Sequence, residues 1–195
     1  MRKIFCFSKA SASIHLCAFA LLFAVSCSRQ PAPKSTTSQP SSPAGSQTLT
    51  GRVVRIADGD TVTVLDATAT QHRIRLQGID APESHQAFGT QSKKSLSEMI
   101  FDRDVTVEYD KTDQYGRLVG KILLDGKDVN LEQVKAGMAW HYKEYQREQT
   151  PEDRELYARA EDEARKARRG LWADADPVEP SEFRKEQKRE REDAK

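Results

Sequence analysis

Two short acidic segments are the first candidates for chemistry in this sequence. They are Asp58–Asp60 (DGD), a turn sequence, and Asp80–Glu83 (DAPE), which follows a β-rich run. Carboxylate and carbonyl oxygens are the ligands that Ca²⁺ takes in proteins, in geometries that also admit several waters. The sequence contains no His and Cys cluster suited to zinc. The two segments therefore favour a hard cation, although each alone is also explained as ordinary turn or loop sequence.

Two arginines accompany these acids. Arg75 lies five residues before Asp80 on the polar side of an alternating run, and Arg117 follows Gly116 just before another run. A guanidinium presents paired donors that match phosphate oxygens, and it keeps its charge at neutral pH. Either arginine alone would be an ordinary surface ion-pair partner. Arginines combined with carboxylates at strand ends instead predict a site for a phosphate and a cation.

Five β-rich runs must position these groups. Polar and apolar residues alternate within them, so that Ile74 and Leu76 face one way while Arg73 and Arg75 face the other. The predicted strands are Thr50–Ile56, Thr61–Leu65, His72–Leu76, Val105–Tyr109 and Leu118–Leu124. Five short strands separated by turn sequences predict a small closed barrel.

Helical spacing predicts three helices around the barrel. Leu96 and Ile100 mark the first, Asn130 caps the second with Gln133 three residues later, and Thr150–Pro151 opens the third. The predicted buried side of the third helix is Leu156, Ala160, Ala164, Ala167 and Leu171, with Gly170 at its end. We therefore predict an α+β fold, a five-stranded OB-fold β-barrel with about three α-helices, which is a scaffold that often binds nucleic acids or saccharides.

Residues 1–26 have the features of an export signal peptide. Basic residues precede an uncharged apolar run, Leu16–Val25, which is too short to span a bilayer as a mature helix. Small residues at Ala24 and Ser26 fit cleavage by signal peptidase. Cys27 followed by a polar segment resembles a bacterial lipobox, although Ala24 stands where the lipobox usually has Leu or Val. We expect an exported protein. It is either a cell-envelope lipoprotein, on the outer membrane or periplasmic side, or a protein that is freely secreted or periplasmic. A membrane anchor that is left uncleaved is the third alternative.

The remaining chain divides into three parts. Residues 27–47 are rich in Ser, Pro and Thr without large apolar groups, which predicts a disordered tether. Residues 48–176 carry the periodicity of one folded domain. Residues 177–195 form a charged tail, whose mixed charges favour a solvated, partly helical segment over a nucleic-acid-binding arm. The formal net charge of +1 becomes −2 once the three basic residues of 1–26 are removed, so any affinity for phosphate must come from local arginines or a bound cation.

Four segments of the domain resemble, in order and spacing, the motif series of the staphylococcal nuclease (thermonuclease) family. They are VVRIADGDTVTV, RIRLQGIDAPE, DQYGRLVGKI and KDVNLEQVKAGMAW, and the resemblance runs from about Gly51 to Trp172. The loop after Glu83 is shorter than the family pattern and lacks its lysines. Gln114 stands where that pattern has a lysine.

The resemblance implies a complete set of site residues. Asp60 and Asp80 would be the calcium carboxylates, and Ala81 would be a ligand through its carbonyl oxygen. Arg75 and Arg117 would lie at the scissile phosphate, and Glu83 beside the attacking water. Tyr115 would lie near the 5′ phosphate and Tyr142 against the substrate. Trp140 and Tyr145 are alternatives to Tyr142 for stacking on a base, and Trp140 is equally explained as a core residue. The implied activity is that of a calcium-dependent endonuclease, a phosphodiesterase that hydrolyses DNA and RNA with little base preference and leaves 3′-phosphate ends.

Two other functions stay open from the sequence. One is a catalytically silent nucleic-acid-binding OB module of the cell envelope, and the other is a structural or adhesion lipoprotein whose linker and tail are the working parts. The presence of the full set of acids and arginines favours the enzyme. The partners implied are DNA and RNA substrates and, through Cys27, a membrane; no protein partner is implied, and we expect a monomer.

The lipobox hypothesis makes a direct prediction about Cys27. If Cys27 carries lipid, the mature protein enters the detergent phase of a phase-separation experiment, and Cys27→Ala moves it to the aqueous phase or stalls its processing, because the acyl chains supply the membrane affinity. Mass spectrometry of the mature N-terminus provides the second measurement. An unmodified N-terminus would contradict the hypothesis and favour the secreted form.

Overall fold

The computed structural model of this protein describes residues 46–195. The predicted signal peptide, Cys27 and all but the end of the predicted tether lie outside the described residues. Among residues 46–195, no helix combines the length and the apolar character that crossing a bilayer requires.

The described residues form eight strands, four α-helices and two short 3₁₀ helices. The strands are β1 (Gln47–Ile56), β2 (Thr61–Asp66), β3 (Gln71–Leu76), β4 (Ile79–Asp80), β5 (Asp104–Thr112), β6 (Leu118–Leu124), β7 (Lys127–Asp128) and β8 (Trp140–His141). The α-helices are α1 (Gly89–Ile100), α2 (Val129–Lys135), α3 (Pro151–Lys166) and α4 (Pro180–Asp193), and the 3₁₀ helices cover Lys143–Glu148 and Gly170–Ala173.

Five strands close into a barrel in the order β3-β2-β1-β5-β6. All neighbours are antiparallel except the closing pair, in which β3 runs parallel to β6. The long strand β1 pairs with β5 through its first half and with β2 through its second half, and a β-bulge follows Val53 at the change. The predicted α+β, five-stranded OB-type barrel is therefore confirmed, with β1 starting at Gln47, just inside the segment predicted as tether.

Branched apolar side chains fill the barrel, and α1 covers one end of it. The barrel residues that are almost fully buried are Val53, Val62, Val64, Ile74, Leu76, Val107 and Ile122. Leu96 and Ile100 of α1 are also buried in this core, as their spacing predicted. The period of two along the strands places Arg73 and Arg75 outside the core, so the arginines remain available for other contacts.

The N-terminus of α2 differs from the prediction. Asp128, rather than Asn130, caps the helix, and its side chain accepts a hydrogen bond from the Leu131 N–H at 3.0 Å. Both Asn130 and Gln133, the predicted capping pair, are completely buried instead. The capping pattern was wrong because β7 (Lys127–Asp128) leads straight into the helix, which therefore begins two residues earlier than the sequence pattern suggested.

The buried Asn130 joins α2 to the barrel. Its Oδ1 accepts a hydrogen bond from the Ile122 N–H at 3.1 Å, and its Nδ2 donates to the carbonyl oxygens of Gln77 and Gly120 at 3.0 and 3.1 Å. Gln77 lies in the turn between β3 and β4. Asn130 therefore holds in place the turn that leads to Asp80.

Helix α3 opens as predicted and buries a different face. Thr150 caps it by accepting a hydrogen bond from the Asp153 N–H at 3.1 Å. The buried residues are Tyr157, Ala160, Glu161 and Ala164, whereas Leu156 is 39% exposed. The helix ends at Lys166, before Gly170, because Arg168 takes a positive φ of 49° and turns the chain first. Ala160 and Ala164 were predicted correctly, while Leu156, the exposed Ala167 and the role of Gly170 were wrong. Leu171 is buried as predicted, but it belongs to the following 3₁₀ helix.

The three hydrogen bonds of Asn130 predict a large loss of stability on its removal. Asn130→Ala would leave the buried Ile122 N–H without its partner and would remove the hydrogen bonds to the carbonyl oxygens of Gln77 and Gly120. It should lower the free energy of unfolding by about 2–4 kcal/mol. Glu132→Ala, on the exposed side of the same helix, removes only a surface ion pair with Lys135 and should cost under about 1 kcal/mol. Urea unfolding of both variants measures the difference, and equal effects would refute this role of Asn130.

Candidate active site

The two acidic segments meet at the open end of the barrel. Asp60 and Asp80 are buried, with 6% and 2% of their surfaces exposed, and Asp60 Oδ2 accepts a hydrogen bond from the Ala81 N–H at 2.8 Å. The segments approach closely because Gly59 has no side chain: a Cβ there would lie 1.9 Å from Ser92 Oγ and 2.7 Å from the Ala81 Cβ. The glycine of the DGD turn is thus a packing requirement as well as a turn residue.

Gln133 anchors this turn from the helical side. Its Nε2 donates to the carbonyl oxygens of Gly59 and Ser92 at 3.0 and 3.2 Å, and its Oε1 accepts from Ser95 Oγ at 2.7 Å. One buried amide therefore links the acidic turn, α1 and α2. The sequence pattern assigned Gln133 to a capping box, because nothing in the spacing indicates that a turn 74 residues away lies against it.

Arg75 links the two buried carboxylates. Its Nη2 lies 3.3 Å from Asp60 Oδ2 and 3.0 Å from Asp80 Oδ1. Its Nη1 donates to the carbonyl oxygens of Leu76 and Ile79 at 2.8 and 2.9 Å. A guanidinium held at both ends in this way has a defined position at the cleft wall, and its charge offsets part of the repulsion between the two acids.

The short pairing of β4 with β8 brings an aromatic segment beside Asp80. Asp80 pairs with Trp140, and the Tyr142 N–H donates to the Gly78 carbonyl at 2.9 Å. Trp140 is buried against Trp172, with ring centroids 4.3 Å apart, so of the three stacking candidates it is the one that belongs to the core. Tyr142 lies 4.9 Å from the ring of Tyr145, and both line the cleft.

Arg117 and Tyr115 bring the turn before β6 into the lining of the cleft. Asp113 Oδ1 accepts from the N–H groups of Tyr115 and Arg117 at 2.9 and 3.0 Å, and its Oδ2 lies 2.7 Å from Arg117 Nε. The guanidinium carbon lies 5.4 Å from the Tyr115 ring centroid, and Tyr115 is 66% exposed. The turn thus presents one cation and one aromatic face to the cleft.

Glu83 lies at the cleft with a partner that the sequence did not predict. Its Oε1 accepts from Arg184 Nη1 at 2.8 Å, and the same guanidinium contacts Asp80. Arg184 belongs to α4, in the segment predicted to be a solvated charged tail. The mixed charge of that segment conceals the contact, because Arg184 has the same local surroundings in sequence as the exposed basic residues that follow it.

All eight sequence-predicted site residues line a single cleft of about 480 Å³. They are Asp60, Arg75, Asp80, Ala81, Glu83, Tyr115, Arg117 and Tyr142. The cleft lies where β3, β4, the turn before β6 and β8 converge. Residues separated by more than sixty positions in sequence are brought together by the parallel closure of the barrel and by the β4–β8 pairing.

The acids of the cleft are suited to a cation. Burial and the Asp60 carboxylate raise the pKa of Asp58 to about 6, and burial raises the pKa of Asp80 above its ordinary value. Within residues 46–195 no three acidic, imidazole or thiol groups converge on one metal position. The groups that would hold a bound cation are Asp60, Asp80 and the carbonyl oxygen of Ala81, all at the cleft, with water completing its shell. Such an all-oxygen set fits Ca²⁺.

The acids and arginines of this cleft lie at the mouth of a closed OB-type barrel. A family model described as "Staphylococcal nuclease homologue" matches residues 73–174. An uncharacterized endonuclease of Haemophilus influenzae is 41% identical over 71% of this chain and 75% of its own. The micrococcal nuclease of Shigella flexneri is 40% identical over 71% and 82%, respectively. The chain belongs to the staphylococcal nuclease homologue family, as its motifs predicted.

The raised pKa of Asp58 predicts a pH-dependent stability in metal-free protein. The folded state holds this proton more tightly than the unfolded chain, whose carboxyl has its ordinary pKa of 3.8. The proton on Asp58 therefore adds to the free energy of unfolding; this contribution is complete below about pH 4 and is lost as the pH rises through about 6. Asp58→Asn keeps an acceptor for the Asp60 N–H and removes the charge. In chelator at about pH 7.5 it should be more stable than wild type by about 1–2 kcal/mol, allowing for partial solvent exposure.

Urea unfolding at about pH 4 and pH 7.5 measures this difference. The gain in Asp58→Asn should appear only at the higher pH. A gain of the same size at both values would mean that the effect does not come from the ionisation of Asp58.

Proposed function

We propose that this chain is an exported, calcium-dependent endonuclease that hydrolyses DNA and RNA with little base preference and leaves 3′-phosphate ends. Family membership makes it a nuclease, an enzyme that hydrolyses nucleic acid. The observation that carries the finer proposal is the convergence of Asp60, Asp80, Arg75, Arg117 and Glu83 on one cleft. The segment 1–27, with its apolar run and Cys27, supports export to the cell envelope, either lipid-anchored or free.

The arginines would hold the scissile phosphate. A phosphodiester hydrolyses slowly because the nucleophile must approach an anion, and negative charge grows on the phosphoryl oxygens as five-coordinate phosphorus forms. Arg75 and Arg117, which both line the cleft, can donate to those oxygens as that charge develops. A calcium ion held by Asp60, Asp80 and the Ala81 carbonyl would add electrostatic stabilisation of the same charge.

Glu83 would act on the attacking water. Its carboxylate lies at the cleft and can accept a proton from water or orient it toward phosphorus. The new bond joins the water oxygen to phosphorus, the bond from phosphorus to the 5′ oxygen breaks, and that oxygen leaves with a proton as a hydroxyl. The phosphate stays on the 3′ side, which accounts for the proposed 3′-phosphate ends.

The aromatic residues would bind the bases without selecting among them. Tyr115 is exposed at one wall and Tyr142 and Tyr145 lie side by side at another. Stacking on an aromatic ring is available to every base, and it therefore supports binding with little base preference.

Digestion of plasmid DNA and of RNA tests the proposal. The purified protein should cleave both with Ca²⁺ and lose nearly all activity in excess chelator, and the products should carry a 3′ phosphate that a phosphatase removes. Full activity in chelator, or activity restored by Zn²⁺ alone, would contradict the calcium requirement. Binding without cleavage under all conditions would favour a silent nucleic-acid-binding module.

Glu83→Gln tests the role of the glutamate within the same assay. The amide keeps the shape and the hydrogen-bonding reach but is not a useful base, so kcat should fall about 10²–10⁴-fold while KM changes little. Glu98→Gln is the matched control, because Glu98 lies on α1 and pairs only with Lys94 in the described structure. A Glu83→Gln variant with the kcat of wild type would remove Glu83 from the mechanism.

A further inference from the structure

Helix α4 (Pro180–Asp193) folds back onto the mouth of the cleft. The segment leading into it is tied to the loop after Glu83, since Gln86 Nε2 donates to the Val178 carbonyl at 2.6 Å. Phe183, its one large apolar residue, lines a groove of about 190 Å³ together with Phe88, Trp140 and Leu171. This attachment presents the next residue, Arg184, to the acids of the cleft.

The Arg184 guanidinium engages both acids that the proposed reaction needs. Its Nη2 lies 2.9 Å from Asp80 Oδ2, and its Nη1 lies 3.2 Å from Asp80 Oδ1 and 2.8 Å from Glu83 Oε1. The contact with Asp80 is bidentate, the geometry in which arginine binds a carboxylate most strongly. Asp80 is the proposed calcium ligand and Glu83 the proposed base. A single side chain from the C-terminal helix therefore covers the cation-binding carboxylate and the base together.

The rest of α4 is weakly attached. The Arg184 side chain is 41% exposed. Beyond it, the ion pairs of the helix that the structure describes stay within the helix, namely Glu186–Arg189 and Lys188–Glu192. The helix is thus held on the domain mainly by the segment around Phe183 and by the Arg184 contacts. Such an element can leave the cleft without disturbing the barrel. Arg75 cannot do so, because it lies on β3 and is held by the carbonyl oxygens of Leu76 and Ile79.

We infer that α4 is an autoinhibitory latch in which Arg184 and the divalent cation compete for Asp80. The inference rests on the proposed calcium-dependent function. A cation bound to Asp80 would lie close to the docked guanidinium, and like charges that share a carboxylate in a partly buried site repel each other. Calcium binding and docking of Arg184 are therefore opposed, and by linkage each weakens the other to the same extent. Release of α4 also frees Glu83, so cation binding and exposure of the base occur together.

Calorimetric titration of Ca²⁺ into the metal-free full-length protein tests the latch. A docked latch reduces the fraction of protein competent to bind, so Arg184→Ala should lower the Kd for Ca²⁺ about 10-fold. Arg189→Ala is the matched control: it removes the same charge from the same helix but pairs only with Glu186, so its Kd should stay within about twofold of wild type. The control separates a direct contact from a general change in net charge.

Limited proteolysis with trypsin provides a second readout that does not depend on activity. Ca²⁺ should speed cleavage at the basic residues of α4 in the wild-type protein, because the released helix is accessible, and should have little effect on that rate in Arg184→Ala. Slower cleavage of α4 in Ca²⁺ would overturn the latch.

The outcomes separate the latch from the proposed function. Ca²⁺ binding with the same Kd in wild type and Arg184→Ala would overturn the latch and leave the calcium-dependent nuclease intact. A higher Kd in Arg184→Ala would also overturn it, since Arg184 would then support the cation site. Absence of Ca²⁺ binding in both proteins, with cleavage of DNA in chelator, would overturn the proposed metal and the latch together.

Discussion

Arg75 determines how two buried carboxylates can share the mouth of the barrel. Its guanidinium reaches Asp60 and Asp80 and is fixed by the carbonyl oxygens of Leu76 and Ile79. Without the positive charge of the Arg75 guanidinium beside them, two acids this deeply buried would repel each other and would lose their hydration with little compensation. Because the turn before β2, strand β3 and strand β4 each supply one member, the ion pairs also draw these three segments together. The geometry of the cleft follows from this arrangement.

Two buried amides transmit that arrangement to the helices. Asn130 connects α2 with β6 and with the turn before Asp80, and Gln133 connects α2 with α1 and with the turn that carries Asp60. Both side chains satisfy backbone groups that would otherwise be buried without partners. A single helix of seven residues thereby supports both acidic segments from behind. Rigid support of this kind is what a site for a phosphate and a cation requires.

The formal net charge of this chain is only +1, so the placement of individual charges at the cleft matters more than the total. Asp58, Asp60, Asp80 and Glu83 make the cleft acidic, and Arg75, Arg117 and Arg184 compensate at specific points. Lys111 also lines the cleft, where it pairs with Glu148. In the proposed function, attraction for phosphate would come from Arg75, Arg117 and a bound cation. In the proposed latch, Arg184 takes up the excess negative charge until a divalent cation replaces it. The same acids then serve the closed state and the active state.

The sequence by itself determined the family, the barrel strands and eight of the residues that line the cleft. The alternation along the strands is a local property of the sequence, and so are the motifs around Asp60, Asp80 and Arg117. Such patterns can be recognised before the structure is known, because they depend on backbone geometry and on the chemistry of neighbouring side chains. Asn130 and Gln133 were assigned wrongly and Arg184 was overlooked because their partners lie far away in the chain. A buried amide and a capping amide look alike in sequence, and so do a docked arginine and a solvated one. Only the tertiary structure decides between them, since it alone places the unpaired carbonyl or carboxylate that each side chain meets.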